Sequence, residues 1–288
     1  MLTIIPKNIS TAKLHAYLLA SVAPRPIALA STIDLKGKAN LSPFSFFNVF
    51  SANPPILIFS PARRVKNNTT KHTLQNVREV KEVVINVVNY NAVQQTSLSS
   101  TEYHKGINEF EKAGFTMLGS SKIKPFRVAE SPVQFECKVN DIIALGSEGG
   151  AGNLVICEVV CMHIDESILD ENGLIDQQKL DLVARAGGSL YSRVKNGFFE
   201  VPKPLSSLGL GVDLLPENVK NSSILTGNNL GMLGNIEDFP SKKDVDKFAE
   251  ENQRFIGLNT NEKHKFAQDF LKINDVESAW KVLLINEK

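Results

Sequence analysis

The alternation of apolar and polar residues predicts that the first half of the chain consists mainly of short β-strands. Residues 27–34 combine apolar and small hydroxyl side chains, and residues 40–49 repeat this pattern after the turn-like segment 35–38. Residues 56–59 are apolar on both faces, as expected of a buried strand. Gly37 can adopt the positive φ that a tight turn needs, so the first two strands are predicted to form a β-hairpin.

Three further runs rich in apolar and β-branched residues predict strands at 83–88, 134–145 and 153–164. The glycine-rich segment 146–152 joins the last two as a hairpin connection. Helices are predicted from apolar periodicity at 10–20, 69–80 and 108–112. Because few helices separate the strands, the pattern favours an antiparallel barrel over a doubly wound sheet. The predicted fold class is mainly β with peripheral helices, an α+β arrangement around a β-barrel.

The pattern changes after residue 191, where strand-like runs end and helical periodicity takes over. Residues 203–216 are typical of a loop. Three helices are predicted beyond it, at 242–255, 261–273 and 274–285. Asn274 and Glu277 have the spacing of a capping box at the start of the last helix. We therefore predict a first domain of residues 1–195 and a largely helical extension, residues 196–288, that packs on the barrel or on a dimer.

Composition and charge argue against a nucleic-acid-binding protein and against a membrane protein. The 288-residue chain has a net charge of +1, so no basic surface indicates a nucleic-acid partner. No apolar run approaches the roughly 20 residues that a membrane-spanning helix needs, and the N-terminus lacks a signal-peptide pattern. The three cysteines form no CxxC pair, which is typical of reduced thiols in a cytoplasmic protein. Cys157 and Cys161 are an even number of positions apart and are predicted to share one strand face.

The sequence lacks the familiar catalytic motifs. It contains no GxxxxGKS or GxxxxGKT phosphate loop, no GxGxxG turn between strand and helix, no HExxH and no GxSxG. The five histidines are scattered without the spacing of metal ligands. We therefore predict neither a metal site nor a catalytic side chain.

Short polar side chains are concentrated in the predicted hairpin. They are Ser31, Thr32, Asn40, Ser42, Ser45 and Asn48. Prolines and phenylalanines around them make the segment stiff and apolar. Such a surface suits a flat ligand that forms hydrogen bonds, because short side chains let the ligand approach the backbone. Ser42 and Asn48 are predicted to share one strand face, with Ser45 on the other.

Positive charge follows the hairpin at a distance that suits an anion. The segment carries Arg63, Arg64, Lys66 and then Lys71-His72-Thr73. The predicted helix 69–80 starts beside Lys71, so its first N–H groups can join these side chains around a phosphate. The alternative interpretation is an ordinary barrel strand with surface hydroxyls, followed by a solvated basic loop.

Several motifs occur in an order that resembles one known family. The first four are PRPIA from Pro24, STID from Ser31, NLSPFSFFN from Asn40 and NPP from Asn53. Further motifs follow in chain order: KHTLQN from Lys71, NEF from Asn108, ESP from Glu130 and RAGGSLY from Arg185. Together they resemble the signature of flavin reductase-like, FMN-binding split-barrel proteins, with the flavoredoxin-like branch nearest. The resemblance spans about residues 10–195, and His72 departs from it where an Asp is common.

The resemblance implies a six-stranded antiparallel split barrel that forms a homodimer and binds FMN near the subunit interface. It implies flavin contacts from the hairpin residues Ser31, Thr32, Asn40, Leu41, Ser42, Ser45, Phe46, Phe47 and Asn48. Lys71 and Thr73 are expected to bind the phosphate end of FMN. Arg185, Gly188 and Tyr191 are expected to close over the ring or to complete the dimer.

The same resemblance implies a flavin oxidoreductase in which hydride passes from NADH or NADPH to N5 of the flavin. Because the cofactor supplies the redox chemistry, this reaction needs no protein acid or base. Two alternatives stay open: an FMN electron carrier reduced by a partner protein, and a flavin-binding barrel without turnover. Arg25, fixed between two prolines, is expected either to reach the flavin or the nucleotide, or to pair with an acid at the dimer surface.

Overall fold

The computed structural model describes residues 1–202 and 208–285. The chain divides into two compact units, Met1–Phe199 and Glu200–Lys288. The strands of the first unit are β1 Ala28–Ile33, β2 Ala39–Phe44, β3 Phe47–Ala52, β4 Pro55–Phe59, β5 Glu82–Val87, β6 Met117–Leu118, β7 Arg127–Val128, β8 Val133–Ala144, β9 Asn153–Ile164, β10 Val183–Arg185 and β11 Tyr191–Arg193. Its helices are α1 Thr11–Ser21, α2 His72–Val80, α3 Val93–Leu98, α4 Glu109–Ala113 and α5 Gln177–Leu180.

Seven of these strands form one antiparallel sheet, in the order β2-β1-β5-β8-β9-β4-β3. A flat sheet of this size would hold its two edge strands about 29 Å apart. Only Ser45 and Phe46 separate β2 from β3 in the chain, and three residue steps span at most about 11 Å. The sheet must therefore curl until its edges approach each other. The predicted mainly β class is confirmed, although this sheet has seven strands where six were expected.

The prediction of one strand over residues 40–49 is wrong. β2 ends at Phe44 and pairs with β1, whereas β3 starts at Phe47 and pairs with β4. Residues 44–47 contain neither glycine nor proline, so the sequence carries no turn signal at the bend. Ser42 and Asn48 consequently belong to different strands rather than to one face of the same strand.

A β-bulge in β9 changes which residues face the barrel core. Glu136 of β8 pairs with Cys161. The next residue of β8 pairs with Val159, which leaves Val160 as an extra residue in β9. Cys157 therefore packs in the core, whereas Cys161 lies on the outer face beside Glu136. The prediction that Cys157 and Cys161 share a face is wrong, because the bulge interrupts the regular alternation between them.

Helix α2 starts at His72, three residues later than predicted, because Arg64 holds the preceding segment extended. The backbone N–H of Arg64 donates to the carbonyl oxygen of Thr69 at 2.9 Å. Its side chain donates to the carbonyl oxygen of Thr70 at 2.7 Å. The helix begins only where these contacts end, and this places its first turn beside the guanidinium of Arg64.

The described part of the second unit is helical. Its helices are α6 Glu217–Lys220, α7 Gly227–Leu233, α8 Lys242–Glu251, α9 Thr260–Lys272 and α10 Val276–Leu284. The predicted helices at 242–255 and 261–273 are confirmed, although the first ends as a 3-10 turn at Gln253–Phe255. Trp280 is buried in the core of this unit and donates its Nε1–H to the carbonyl oxygen of Leu233 at 3.0 Å.

The predicted capping box at Asn274 and Glu277 is wrong. Asp275 caps α10 by accepting the backbone N–H of Ser278, whereas Asn274 has a left-handed φ of 61°. Of the predicted loop 203–216, residues 203–207 lie outside the described residues. Within the described residues, no helix is both long and apolar enough to span a bilayer.

Candidate functional site

A polar pocket opens between β2, the start of α2 and the segment that joins α3 to α4. Its lining residues are almost all polar: Asn40, Ser42, Arg64, Lys71, His72, Thr73, Ser99, Ser100, Thr101, Glu102, Tyr103 and Glu109. Four predicted site residues, Asn40, Ser42, Lys71 and Thr73, meet here although they come from two separate segments. We call this the polar pocket.

A buried hydrogen-bond network fixes the side chains at its base. Nδ2 of Asn40 donates to the hydroxyl oxygens of Thr73 at 3.0 Å and Thr32 at 3.4 Å. Asn76 on α2 donates to the same Thr32 hydroxyl at 3.1 Å. All four side chains are buried, so each lost partner would leave an unsatisfied polar group. The network ties α2 to the hairpin and holds Asn40 and Thr73 in fixed orientations.

Arg64 and Lys71 supply the positive charge of the polar pocket. The Nε of Arg64 lies 2.8 Å, and the Nζ of Lys71 lies 3.8 Å, from Oε1 of Glu102. Burial and the charge of Arg64 lower the pKa of Lys71. Burial and the positive charges of Arg64, Lys105 and Lys71 lower the pKa of His72. Its imidazole is therefore neutral at neutral pH. The pocket therefore holds two cations that already share one anionic oxygen.

Glu109, which lines the polar pocket, provides a hydrogen-bond acceptor for a backbone N–H group on the edge strand β2. Its Oε2 accepts the backbone N–H of Leu41 at 3.0 Å. β2 is an edge strand, so this N–H has no neighbouring strand to pair with. Burial raises the pKa of Glu109, although hydrogen bonds from the backbone N–H groups of Leu41 and of Glu109 itself oppose that shift. The main chain of Leu41 thus contacts a lining residue of the pocket, while its side chain is buried in the core.

Ser31 and Thr32 point to opposite faces of β1, as successive strand residues do. Thr32 takes part in the network with Asn40 and Asn76. Ser31 is completely buried, and its Oγ has no hydrogen-bond partner among the described residues. The main chain at Ser31 is paired with β2 on one side and β5 on the other. Of the two residues, Thr32 is the one connected to the polar pocket.

Residues 45–48 lie outside the lining of the polar pocket, in the bend before β3 and at its start. Phe47 packs against the barrel core. Phe46 is exposed, and its ring meets the ring of His15 edge-on with 6.2 Å between their centres. Asn48 is also exposed. These residues form a separate surface at the edge of the sheet.

Arg185 and Tyr191 line a second pocket, which we call the arginine–tyrosine pocket. Its lining residues are Tyr90, Val93, Gln94, Ser97, Val183, Arg185, Ser189, Tyr191 and Arg193. The guanidinium of Arg185 lies 4.6 Å from the ring centre of Tyr191, and that of Arg193 lies 3.8 Å from the ring of Tyr90. Gly188 has a φ of 59° in the turn before Tyr191. The two pockets share no lining residue, so the predicted site residues fall into two groups.

Arg25 holds the end of a helix. Its Nη1 donates to the carbonyl oxygens of Leu19 and Val22 at the C-terminal end of α1, and its Nη2 donates to that of Ala186 at 3.2 Å. A cation at a helix C-terminus stabilises carbonyl groups that lack partners within the helix. Neither predicted role of Arg25, at a cofactor or in an ion pair with an acid, anticipated this capping role.

Comparison with known proteins identifies the family of the first unit. The model of the family described as "flavin reductase like domain" matches residues 20–181, which is more than half of the chain. The chain belongs to the flavin reductase-like family. An uncharacterised relative from Aquifex aeolicus is 36% identical over 178 residues, which cover 62% of this chain and 88% of the relative. The resemblance inferred from the sequence motifs is confirmed.

Solved structures share this fold over much of the chain. Nitrilotriacetate monooxygenase component B from Bacillus cereus is 28% identical, with a TM-score of 0.66, over 70% of this chain and 98% of that one. A Shewanella frigidimarina protein described as a flavin reductase with a split barrel domain is 25% identical, with a TM-score of 0.59, over 70% of this chain and 100% of that one. The predicted split-barrel fold is confirmed. The family match ends at residue 181, so the second unit lies outside it.

Sequence reasoning missed the wall of the polar pocket that residues 99–103 form. The run Ser99-Ser100-Thr101 is a loop signal, but no periodicity or motif connects it with the hairpin. The pairing of Glu102 with Arg64 was equally hidden, because 38 positions separate them. Glu109 lies in the NEF motif, which indicated the family without indicating a role.

Proposed function

We propose that this flavin reductase-like protein binds FMN and acts as an NAD(P)H-dependent flavin oxidoreductase. The observation that carries the proposal is the polar pocket, where Arg64 and Lys71 lie beside the start of α2. When bound, FMN supplies the hydride-accepting N5 atom and the redox chemistry, so the protein has to bind and orient it. The sequence is consistent with this role, because it contains no HExxH or GxSxG motif that would supply a catalytic side chain.

The residues of the polar pocket fit the phosphate end of FMN. A phosphate is bound best by cations, hydroxyl donors and the N–H groups of a helix N-terminus. Arg64 and Lys71 supply the cations, and Thr73 supplies a hydroxyl. The N-cap residue of α2 gives no side-chain acceptor to the first N–H groups of the helix, so these can also donate. Glu102 already places an anionic oxygen between the cations, and we infer that the phosphate replaces it.

The hairpin is proposed to bind the ribityl chain and the ring. Asn40 and Ser42 line the polar pocket next to the phosphate position, and Thr32 holds Asn40 in place. Leu41 would contribute through its main chain, and residues 45–48 would meet the ring at the start of β3. Ser31 is buried on the opposite face of β1, which supports a role in packing the hairpin.

The arginine–tyrosine pocket is proposed to close over the ring or to complete the dimer. Arg193 is neutralised by Asp181, which accepts hydrogen bonds from its Nε and Nη2. Arg185 forms no ion pair among the described residues, so its charge is available to an anionic group. The turn at Gly188 positions Tyr191 against Arg185.

An exposed apolar surface supports the proposed homodimer. None of the eleven residues of α1 is buried, and Leu18 is 52% exposed. Val49 and Phe50 on the edge strand β3 are each 63% exposed. An edge strand with exposed apolar side chains is a surface that another chain can cover. We propose that a second copy of this chain covers it, and a monomer in sedimentation equilibrium with FMN present would contradict this.

Anaerobic titration of the purified protein with NADH and NADPH tests the proposed activity. After reconstitution with FMN we expect a yellow protein whose flavin absorbance bleaches when a reduced nicotinamide is added. Free FMN at the same concentration controls for reduction without protein. Bleaching that requires an added reductase protein would indicate an electron carrier instead. A protein that takes up no FMN would contradict flavin binding itself.

A further inference from the structure

Three metal-ligating side chains converge on the outer face of the β8–β9 pair. Glu136 comes from β8, and Cys161 and His163 come from β9. Their oxygen, sulfur and nitrogen donor atoms all lie within 4.8 Å of one another. The bulge at Val160 produces this arrangement, because it turns Cys161 from the core face to the outer face. We call this the Glu–Cys–His cluster, and it shares no residue with either pocket.

One imidazole nitrogen faces both of the other donors. The Nε2 of His163 lies 2.7 Å from Oε1 of Glu136 and 3.5 Å from Sγ of Cys161. A proton on Nε2 serves mainly the carboxylate, which is the nearer and stronger acceptor. A metal ion in the place of that proton would contact all three donor atoms, at about 2.0–2.3 Å after small side-chain movements.

Glu136 is held in an orientation that suits a metal ligand. It is completely buried, and it accepts the backbone N–H groups of Ser121 at 2.7 Å and Lys122 at 2.6 Å. Hydrogen bonds from outside the ligand set commonly fix metal-binding carboxylates in this way.

The nearest competing cation is Arg127, and it is occupied elsewhere. Its Nε lies 3.9 Å from Oε1 of Glu136, beyond hydrogen-bond distance. Its guanidinium donates to the carbonyl oxygen of Gly119 and to Oε1 of Gln134. An ionised carboxylate and a thiolate together carry two negative charges, which offset the neighbouring positive charge.

We propose that Glu136, Cys161 and His163 bind Zn²⁺, with a fourth position left for water. Carboxylate oxygen, thiolate sulfur and imidazole nitrogen are donor types that zinc binds in proteins, and a thiolate disfavours Mg²⁺ and Ca²⁺. Binding releases the thiol proton of Cys161 to solvent, while the neutral imidazole carries its proton on Nδ1. Cys161 and His163 are half-buried, so solvent reaches the cluster. The proposal does not depend on flavin binding.

Isothermal titration of the purified full-length protein with Zn²⁺ tests the site. We expect one ion per chain, with affinity at least about tenfold weaker in Cys161→Ser and in His163→Gln. His104→Gln is the matched control, because it removes an exposed histidine outside the cluster, and its affinity should equal that of the unmodified chain. No zinc binding, or equal affinity in all variants, would overturn the proposal.

The reactivity of Cys161 provides a second readout. Cys137 and Cys157 are buried, and burial raises the pKa of Cys137 to about 12 and that of Cys157 well above its usual value. Cys161 is therefore the thiol expected to react with dithionitrobenzoate in the native protein. Zn²⁺ should slow this reaction, whereas Mg²⁺ should not. An unchanged rate with Zn²⁺ would contradict ligation and leave the cluster as a hydrogen-bonded clamp between β8 and β9.

Discussion

The polar pocket and the arginine–tyrosine pocket each contain two cationic side chains, but they hold them differently. In the polar pocket, Arg64 and Lys71 share the exposed carboxylate of Glu102. In the arginine–tyrosine pocket, Arg193 makes two hydrogen bonds to Asp181, Nε to Oδ1 at 2.9 Å and Nη2 to Oδ2 at 2.5 Å. Glu102 is exposed, so a ligand can displace it from Arg64 and Lys71. Arg193, by contrast, is held in a structural ion pair with Asp181.

This difference favours the polar pocket as the proposed phosphate site. An exposed ion pair contributes little to stability, so a ligand can replace Glu102 at small cost. Asp181 is mostly shielded, and its paired hydrogen bonds to Arg193 are of the strong, charge-assisted kind. We therefore assign the phosphate of FMN to the polar pocket and an orienting role to the arginine–tyrosine pocket.

The substitution Lys71→Met should have the largest effect, because it removes a cation from the proposed phosphate position. We expect FMN affinity to fall about 10- to 100-fold, as for the loss of one hydrogen bond to a charged group. Riboflavin affinity should change little, since riboflavin has no phosphate. Fluorescence titration with both flavins measures the contrast. Lys138→Met is the control, because it removes the same charge from an exposed position on β8 outside the pocket.

Thr32→Val should destabilise the fold by about 1–3 kcal/mol, because it leaves the amide groups of Asn40 and Asn76 without their shared acceptor. Urea unfolding measures this change. Thr96→Val is the matched control. Thr96 is equally buried, but its hydroxyl has no partner among the described residues, so its loss should cost little. Equal losses in the two variants would show that the network does not hold α2 to the hairpin.

The fold was predictable where structure follows local periodicity. The β-branched run that forms β5 and the long runs that form β8 and β9 gave clear signals. The errors fall where a tertiary contact overrides that periodicity. The bend at Ser45 and Phe46 is required because β2 and β3 join opposite edges of a closing sheet, and the bulge at Val160 is visible only from strand register.

The site was predictable in part. Motif order brought Asn40, Ser42, Lys71 and Thr73 together, and the structure places all four in the polar pocket. The remaining wall comes from residues 99–103, which have no periodic pattern and gain their place only through the fold. Chain order also grouped Arg185 with the hairpin residues, because a shared family motif carries no information about distance.

The pH dependence of FMN affinity should show the charge of Lys71. Burial and Arg64 lower its pKa in the free protein, and a bound phosphate would raise it again. The protonated form binds the anion, so affinity should be constant in mildly alkaline solution, where the phosphate is already fully ionised, and fall as the pH rises through the lowered pKa. Titrations from neutral to alkaline pH check this, and Lys71→Met should lack that alkaline fall. A variant with the same profile as the unmodified chain would exclude Lys71 as the titrating group.

Arg185→Gln should weaken FMN binding less than Lys71→Met does, by under about tenfold, because it removes a contact to the ring side rather than to the phosphate. The same fluorescence titration measures it. Arg78→Gln, at an exposed position on α2, is the control for a change of charge. A loss as large as that of Lys71→Met would mean that the arginine–tyrosine pocket holds the phosphate.

Glu102→Gln should have the smallest effect, and in the opposite direction. It removes an anion that competes with the phosphate for Arg64 and Lys71, so FMN affinity should rise about two- to fivefold. Glu79→Gln, an exposed change on α2, should leave affinity as it is. A weaker affinity in Glu102→Gln would indicate that the carboxylate positions the two cations instead of competing.

A crystal structure of the FMN-bound protein tests the central claim most directly. The account predicts that the FMN phosphorus lies between the side chains of Arg64 and Lys71 at the start of α2, with Glu102 displaced from both. A phosphate in the arginine–tyrosine pocket, with the Glu102 ion pairs intact, would contradict it.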